Sequence, residues 1–139
     1  MSINIQPPED MIGISLYNIL SSRDDEEFIQ LVNGWNKTVV IEITGFYPVA
    51  VHFHNLNISF SLDIPDNYDL KVTMSIHTLL DLAYKRTNPV VAVLTGKLKI
   101  KGLYKIGTVL KFQKIFFNTM KQVAAEPNTN YYEVYKETK

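Results

Sequence analysis

The chain contains no cysteine, a single tryptophan and no aliphatic run longer than Val90 to Leu94. The first absence excludes a thiolate nucleophile, a disulfide framework and zinc-finger spacing, and it fits a reducing interior, so the cytoplasm is the expected compartment. The short aliphatic run falls far below the ~20 residues of a membrane-spanning helix. At the amino end, Pro7, Pro8, Glu9 and Asp10 stand where a secretory leader has a basic start and an apolar centre, so no leader is expected. One sign of charge is also missing from about a third of the chain. Acidic and basic residues balance at 14 each, yet no Asp or Glu lies between Leu82 and Ala125, where Lys85, Arg86, Lys97, Lys99, Lys101, Lys105, Lys111, Lys114 and Lys121 all fall. A basic segment with an apolar face suits an anionic partner, such as a membrane surface or a phosphate-bearing thioester; the plainer alternative is a set of solvated lysines keeping strand faces soluble.

The 139 residues make one domain, with a core over about residues 10–125 and a carboxy-terminal tail, 126–139, carrying Tyr131, Tyr132 and Tyr135. A chain of this length buries roughly 70% of its unfolded surface and needs no metal or disulfide. Its most ordered pattern is Gly96-Lys97-Leu98-Lys99-Ile100-Lys101-Gly102, where Lys and apolar residues alternate with period two. That is a strand with one dry face. The same alternation predicts strands through Val39 to Ile43, Val49 to Phe53, Leu56 to Leu62 and Leu70 to Met74, with a two-residue hairpin turn at His54-Asn55 switching the parity. Helical spacing predicts helices from Met11 (capped by Asp10), from Phe28 (after Asp24 to Glu27, stopping at Asn33-Gly34), from Ile76 (capped by Ser75, stopping at Asn88-Pro89), and a long one through Leu103 to Ala125. Val90 to Thr95 reads equally as a helical turn or a strand. Five strands with one apolar and one polar face, covered by helices on one side, define a two-layer α+β domain with a mostly antiparallel sheet.

Chemistry-bearing patterns are sparse. His52 and His54 share a strand face, but no third ligand follows by spacing, so no metal is expected. No serine sits in a nucleophile elbow and no carboxylate pair shares the apolar face, so no catalytic residue and no cofactor is assigned. The Gly96 stretch alternates as a strand, and Leu103 follows Gly102 where a phosphate loop has Lys then Ser or Thr. No aromatics interleave the basic strand face, which argues against nucleic acid.

Asp69-Leu70-Lys71-Val72-Thr73-Met74-Ser75, the helix from Ile76 to Thr87, Asn88-Pro89 and the Gly96 to Gly102 strand, in this order, resemble the sterol carrier protein 2 (SCP-2) domain, over roughly residues 35 to 125. The resemblance implies a five-stranded sheet in order 3-2-1-4-5 with helices on one side. It also implies an apolar tunnel between the two layers that takes sterols, fatty acids, fatty acyl-CoA or other lipids such as isoprenoids. The ending Glu137-Thr138-Lys139 differs from a peroxisomal signal, and the helix after Gly102 lacks the family's Met-Gly-Leu-Ala-type start.

The expected activity is non-enzymatic lipid binding and carriage. Its alternative is a protein-interaction or homodimerisation module that assists a lipid-biosynthetic enzyme. The apolar ligand-binding residues expected are Phe53, Phe60, Met74 and Ile100 on strands, Leu80 and Tyr84 on the Ile76 helix, and Phe112, Ile115, Phe116 and Met120 on the last helix, because aromatics and methionine suit an adaptable cavity. Lys105 and Lys111 are the expected head-group contacts. Each apolar residue also has a plain reading as core packing.

Overall fold

Each of the first four helices begins where the sequence supplies a side-chain acceptor. The computed structural model of the chain describes residues 3–23 and 25–125, so Asp24 and the tail tyrosines lie outside the described residues. Asp10 accepts from the Gly13 amide (2.6 Å) to open α1 (Met11–Leu20), and Asp25 accepts from the Phe28 amide (3.2 Å) to open α2 (Glu26–Val32). Ser75 accepts from the Thr78 amide (3.1 Å) at α3 (Ile76–Ala83), and Asn88 from the Val91 amide (2.9 Å) at α4 (Pro89–Leu94). Val90 to Leu94 is therefore helical. Asn88-Pro89, expected only as a stop, also starts this helix, because Pro at the first helical position loses no hydrogen bond.

The sheet has six strands: β1 (Asn4–Ile5), β2 (Asn36–Ile43), β3 (Pro48–His54), β4 (Asn57–Ser61), β5 (Leu70–Met74) and β6 (Leu98–Lys101). Their spatial order is β1-β4-β3-β2-β5-β6. The five expected strands keep the order 3-2-1-4-5 among themselves; the two-residue β1 is an addition, laid parallel to β4 at the sheet edge. β2 and β5 are also parallel, whereas β2–β3, β3–β4 and β5–β6 are antiparallel. The hairpin turn falls one residue later than expected. His54 pairs with Asn57 and Phe53 with Ile58, leaving Asn55 and Leu56 as the loop. Asn55 takes a φ of +56°, which asparagine tolerates, and its side chain accepts from the Gly34 amide at 2.6 Å. Leu62, counted among the inward residues, lies past the end of β4 and is exposed.

Val39, Ile41 and Ile43 of β2, Val49, Val51 and Phe53 of β3, Ile58, Leu70, Val72, Met74 and Leu98 form the buried sheet face. Against it pack Leu16 and Leu20 of α1, Phe28 and Val32 of α2, Leu82 of α3 and the carboxy-terminal helical segment. That segment is not one regular helix. It runs as α5 (Ile106–Phe112), a π-helical stretch (Gln113–Phe117) and α6 (Asn118–Ala125), and the Asn118 amide bonds the Gln113 carbonyl five residues back.

A buried cation ties the helical layer together. The Arg23 guanidinium donates to both Asp25 carboxylate oxygens at 2.8 Å, reaches the Thr119 hydroxyl of α6 at 3.3 Å and lies over the Phe28 ring at 5.0 Å. The hydrogen bond from Arg23 is the largest of the effects that lower the Asp25 carboxyl to about 2. A carboxyl depressed in the folded state contributes stability above its unfolded value of about 3.9, and that contribution is lost as the pH falls toward the folded value. Asp25→Ala is expected to cost about 1 kcal/mol at neutral pH, as lost caps do. Urea denaturation repeated down to about pH 2 should show the deficit closing.

Glycine is required most strictly at Gly102. Its φ is +96°, and a Cβ there would come within 2.6 Å of the Asp69 carbonyl oxygen. Gly96 has a similar φ of +76° but open space around it. Gly96→Ala should therefore cost only the left-handed strain of about 1 kcal/mol. Gly102→Ala should cost roughly 3 kcal/mol, because backbone overpacking adds to that strain. Chemical denaturation of both variants measures the difference.

Candidate functional site

An apolar groove of about 200 Å³ opens at the β6 edge, between α4 and α5, lined by Pro89, Val90, Val93, Leu94, Ile100, Leu103, Val109, Leu110 and Gln113. Local chemistry sets both of its walls. In α4 the buried Ala92 faces the domain, which leaves Val90 and Leu94 on the outer side. Gly96, at positive φ, turns the chain back so that the Lys97 amide reaches the Ala92 carbonyl at 2.9 Å. β6 then supplies Ile100 to the groove floor, and the turn at Gly102 brings Leu103 to the opposite side.

The end of α5 and the π-helical stretch that follows it group three phenylalanines. Phe112 and Phe116 stack with centroids 5.4 Å apart, and Phe117 meets them edge-on at 5.7 and 5.3 Å. All three rings are buried. The extra residue per turn of a π-helix shifts the side chains after it around the axis, a feature that recurs at functional sites. Gln113, the first residue of the stretch, is the only polar side chain among the groove walls.

The rim is unusually apolar for exposed surface. Relative exposures are 81% for Leu94, 82% for Tyr104, 65% for Val90, 58% for Ile106 and 53% for Leu110. The last two acids before this segment, Asp69 and Asp81, are already paired. Asp69 holds Lys37 at 3.8 Å and Lys105 at 3.7 Å, while Asp81 holds Arg86 at 2.7 Å and His77 at 3.3 Å. The hydrogen bond from Arg86 is the main cause of the lowered Asp81 pKa.

The residues expected to bind lipid are distributed unevenly around this groove. Ile100 forms part of its wall. Phe112, Ile115, Phe116 and Met120 are buried between the sheet and the helices, as are Met74 and Phe53, the latter packed on Trp35 at 4.9 Å. Phe60 is half-buried beside Tyr17 at 6.5 Å. Leu80 is exposed, and Tyr84 lies under the Arg86 guanidinium at 5.4 Å. Of the two expected head-group lysines, Lys105 sits beside the Tyr104 ring at 5.8 Å and Lys111 lies over the Trp35 ring at 5.9 Å. Val90, Val93, Leu94, Leu103, Val109, Leu110 and Gln113 are not among the expected binding residues. Their signal was the surplus of apolar residues after Asn88-Pro89 and after Gly102.

A second hollow of about 280 Å³ lies at the other end of β6, lined by Thr44, Thr73, Ser75, Thr78, Gly96, Lys97, Lys99 and the expected binding residue Met74. His52 Nδ1 lies 3.2 Å from the Thr38 hydroxyl. Among the described residues no group of three or more His, Asp or Glu side chains is placed to hold a metal ion, and no helix is long and apolar enough to cross a membrane.

Burial separates the two kinds of apolar residue. Phe112→Ala should cost about 3–5 kcal/mol through the cavity it leaves. Leu110→Ala, at the exposed rim, should change stability by no more than about 0.5 kcal/mol in the same urea titration.

Comparison with known proteins follows this geometry. The profile of the SCP-2 sterol transfer family matches residues 18–117. Curated protein sequences give no significant match. Among solved structures, the stereoselective inverting sec-alkylsulfatase Pisa1 from Pseudomonas sp. is similar over 66% of this chain but only 14% of its own, at 17% identity and a TM-score of 0.52. A ubiquinone synthesis protein, UbiJ-SCP2, is similar over 81% of this chain and 88% of its own, at 18% identity and a TM-score of 0.58. A crystal structure of sterol carrier protein 2 is similar over 76% of this chain and 92% of its own, at 12% identity and a TM-score of 0.54.

Proposed function

We propose that this chain, which belongs to the SCP-2 sterol transfer family, binds and carries the apolar part of a lipid in the groove between α4, β6 and α5, without chemistry of its own. The observation that carries the reading is the groove's lining: eight apolar side chains and one neutral amide, that of Gln113. Such a surface takes hydrocarbon at about 0.8 kcal/mol per buried methylene and offers neither a nucleophile nor an acid–base pair. A volume near 200 Å³ is below the roughly 300–1,000 Å³ of typical small-molecule sites. A full acyl or isoprenoid chain therefore extends beyond the groove's volume. Lys105, at the rim beside Tyr104, is the cation placed to meet a carboxylate or phosphate head group, in exchange for its contact with Asp69.

The likeness to a ubiquinone synthesis protein favours a second reading, in which the same surface is a docking module that assists a lipid-biosynthetic enzyme. Native mass spectrometry of protein purified from its own host separates the two. A carrier retains a lipid; a docking module is recovered empty and with a protein partner. Displacement of a fluorescent fatty acid provides the direct test. Leu110→Asp, which places a charge in the apolar groove, should weaken binding at least about tenfold with little change in stability. Unchanged affinity would remove the groove from the binding path.

A further inference from the structure

We infer that the hollow at the Lys97 end of β6 is a binding site for a phosphate-type anion; the inference goes beyond the carrier reading and does not depend on it. Four elements bring donors to the hollow. Thr44 follows β2, Thr73 lies on β5, Ser75 and Thr78 open α3, and Lys97 and Lys99 stand at the start of β6. Four hydroxyls and two ammonium groups, with no carboxylate in the lining, make a donor set for an anion, whereas a hard cation would need carboxylates there. The volume of about 280 Å³ is larger than that of the apolar groove. Thr78 is buried, at 4% exposure, and its hydroxyl accepts from Ser75 at 3.1 Å, so that bond leaves the Thr78 proton to be donated.

The two lysines set the sign. Other lysines of the sheet have partners: Lys37 meets Asp69 at 3.8 Å, Lys71 meets Glu42 at 3.2 Å, and Lys101 lies over the Tyr68 ring at 5.7 Å. Among the described residues no ion pair neutralises Lys97 or Lys99. The acids around the hollow are engaged. Glu42, beside Thr73 in the sheet register, is held by Lys71. Asp81, three residues after Thr78, is held by Arg86 at 2.7 Å and His77 at 3.3 Å; its carboxyl is lowered chiefly by Arg86, and Lys97 is the smallest contributor. Two unpaired ammonium groups on one hollow repel each other, and a bound anion relieves that repulsion while it accepts from the hydroxyls. A phosphate monoester offers three acceptor oxygens and nearly two charges, against two oxygens and one charge for a carboxylate, so it meets more of these donors at once. The phosphate belongs either to a free compound or to the head group of a lipid seated in the groove at the other end of β6, about 13 Å of extended chain away.

Calorimetric titration of the full chain with inorganic phosphate and inorganic diphosphate tests the proposal. One diphosphate per chain should bind with a Kd of about 1 mM or below. Lys97→Gln combined with Lys99→Gln should weaken it at least about tenfold, and Thr73→Val, which removes one hydroxyl, roughly threefold. Lys114→Gln combined with Lys121→Gln removes the same charge outside the hollow and should leave the affinity within about twofold. Urea denaturation reports the folded state of each variant. The absence of saturable binding up to about 10 mM overturns the proposal. Equal weakening by the two double lysine variants also overturns it, since the effect would then be one of overall charge. Dodecyl phosphate distinguishes the two sources of the anion. If its binding is weakened both by Leu110→Asp and by the Lys97→Gln, Lys99→Gln pair, the site holds the head group of a lipid in the groove. If only Leu110→Asp weakens it, while diphosphate still requires Lys97 and Lys99, the site takes a free phosphate compound.

Discussion

The bare α-carbon of Gly102 lies against the Asp69 carbonyl oxygen, and the placement of the whole β6–α5 region depends on that contact. Asp69 is anchored on its other side as well. Its amide donates to the Thr38 carbonyl at 2.8 Å, and its carboxylate accepts from the Thr38 amide at 2.9 Å. The same carboxylate draws in Lys37 and Lys105. One residue thus links β2, the start of β5 and the loop after β6. The loop leaves the sheet in a fixed direction, which brings Leu103 to the groove wall and Tyr104 to the rim. Any side chain at position 102 would push the loop away from Asp69 and open the wall.

From that anchor the two layers diverge in density. Over the centre of the sheet the space is filled, because α1, α2, α3 and the π-helical stretch all deliver large side chains to it. Three phenylalanines packed face-to-edge and face-to-face satisfy both area burial and ring electrostatics. Toward β6 the cover thins. α4 has 6 residues and α5 has 7, and each presents only one short apolar face inward. The groove exists because two short helices cannot close over an edge strand that a longer helix would cover. Its volume lies next to a rigid aromatic cluster rather than inside it.

The architecture was legible because each of its determinants is local. Alternation identified the five main strands, and Asp10 and Ser75 named their helices in advance, since capping needs only one acceptor at one position; Asp25, the cap of α2, stood out only as one of several acids ahead of that helix. The two-residue β1 was not legible; Asn4-Ile5 has no alternation to read and pairs only because β4 offers an open edge. The hairpin shift by one residue had the same cause, as either Asn55 neighbour satisfies the parity. The groove was harder still. Phe112, Phe116 and Met120 were chosen for their type, whereas the groove is built from ordinary Val, Leu and Ile whose importance lies in what fails to cover them. Exposure is a property of the tertiary arrangement, and no spacing rule reports it. The π-helical insertion at Gln113 was invisible for the same reason, since a helix pattern of period 3.6 does not show where one residue is added.

The rim makes sense only as an unfinished interface. A large apolar side chain moved from water into a core contributes about 1.5–3 kcal/mol, whereas Leu94 and Tyr104 contribute little of this to the folded chain and Ile106 and Leu110 only part of it. The fold instead spends its strictest backbone constraint, the Gly102 turn, on holding the loop that bears Tyr104 outward. The groove and the exposed side chains beside it then have one cause: the same short helices that leave Ile100 uncovered leave Val90, Leu94 and Leu110 in solvent.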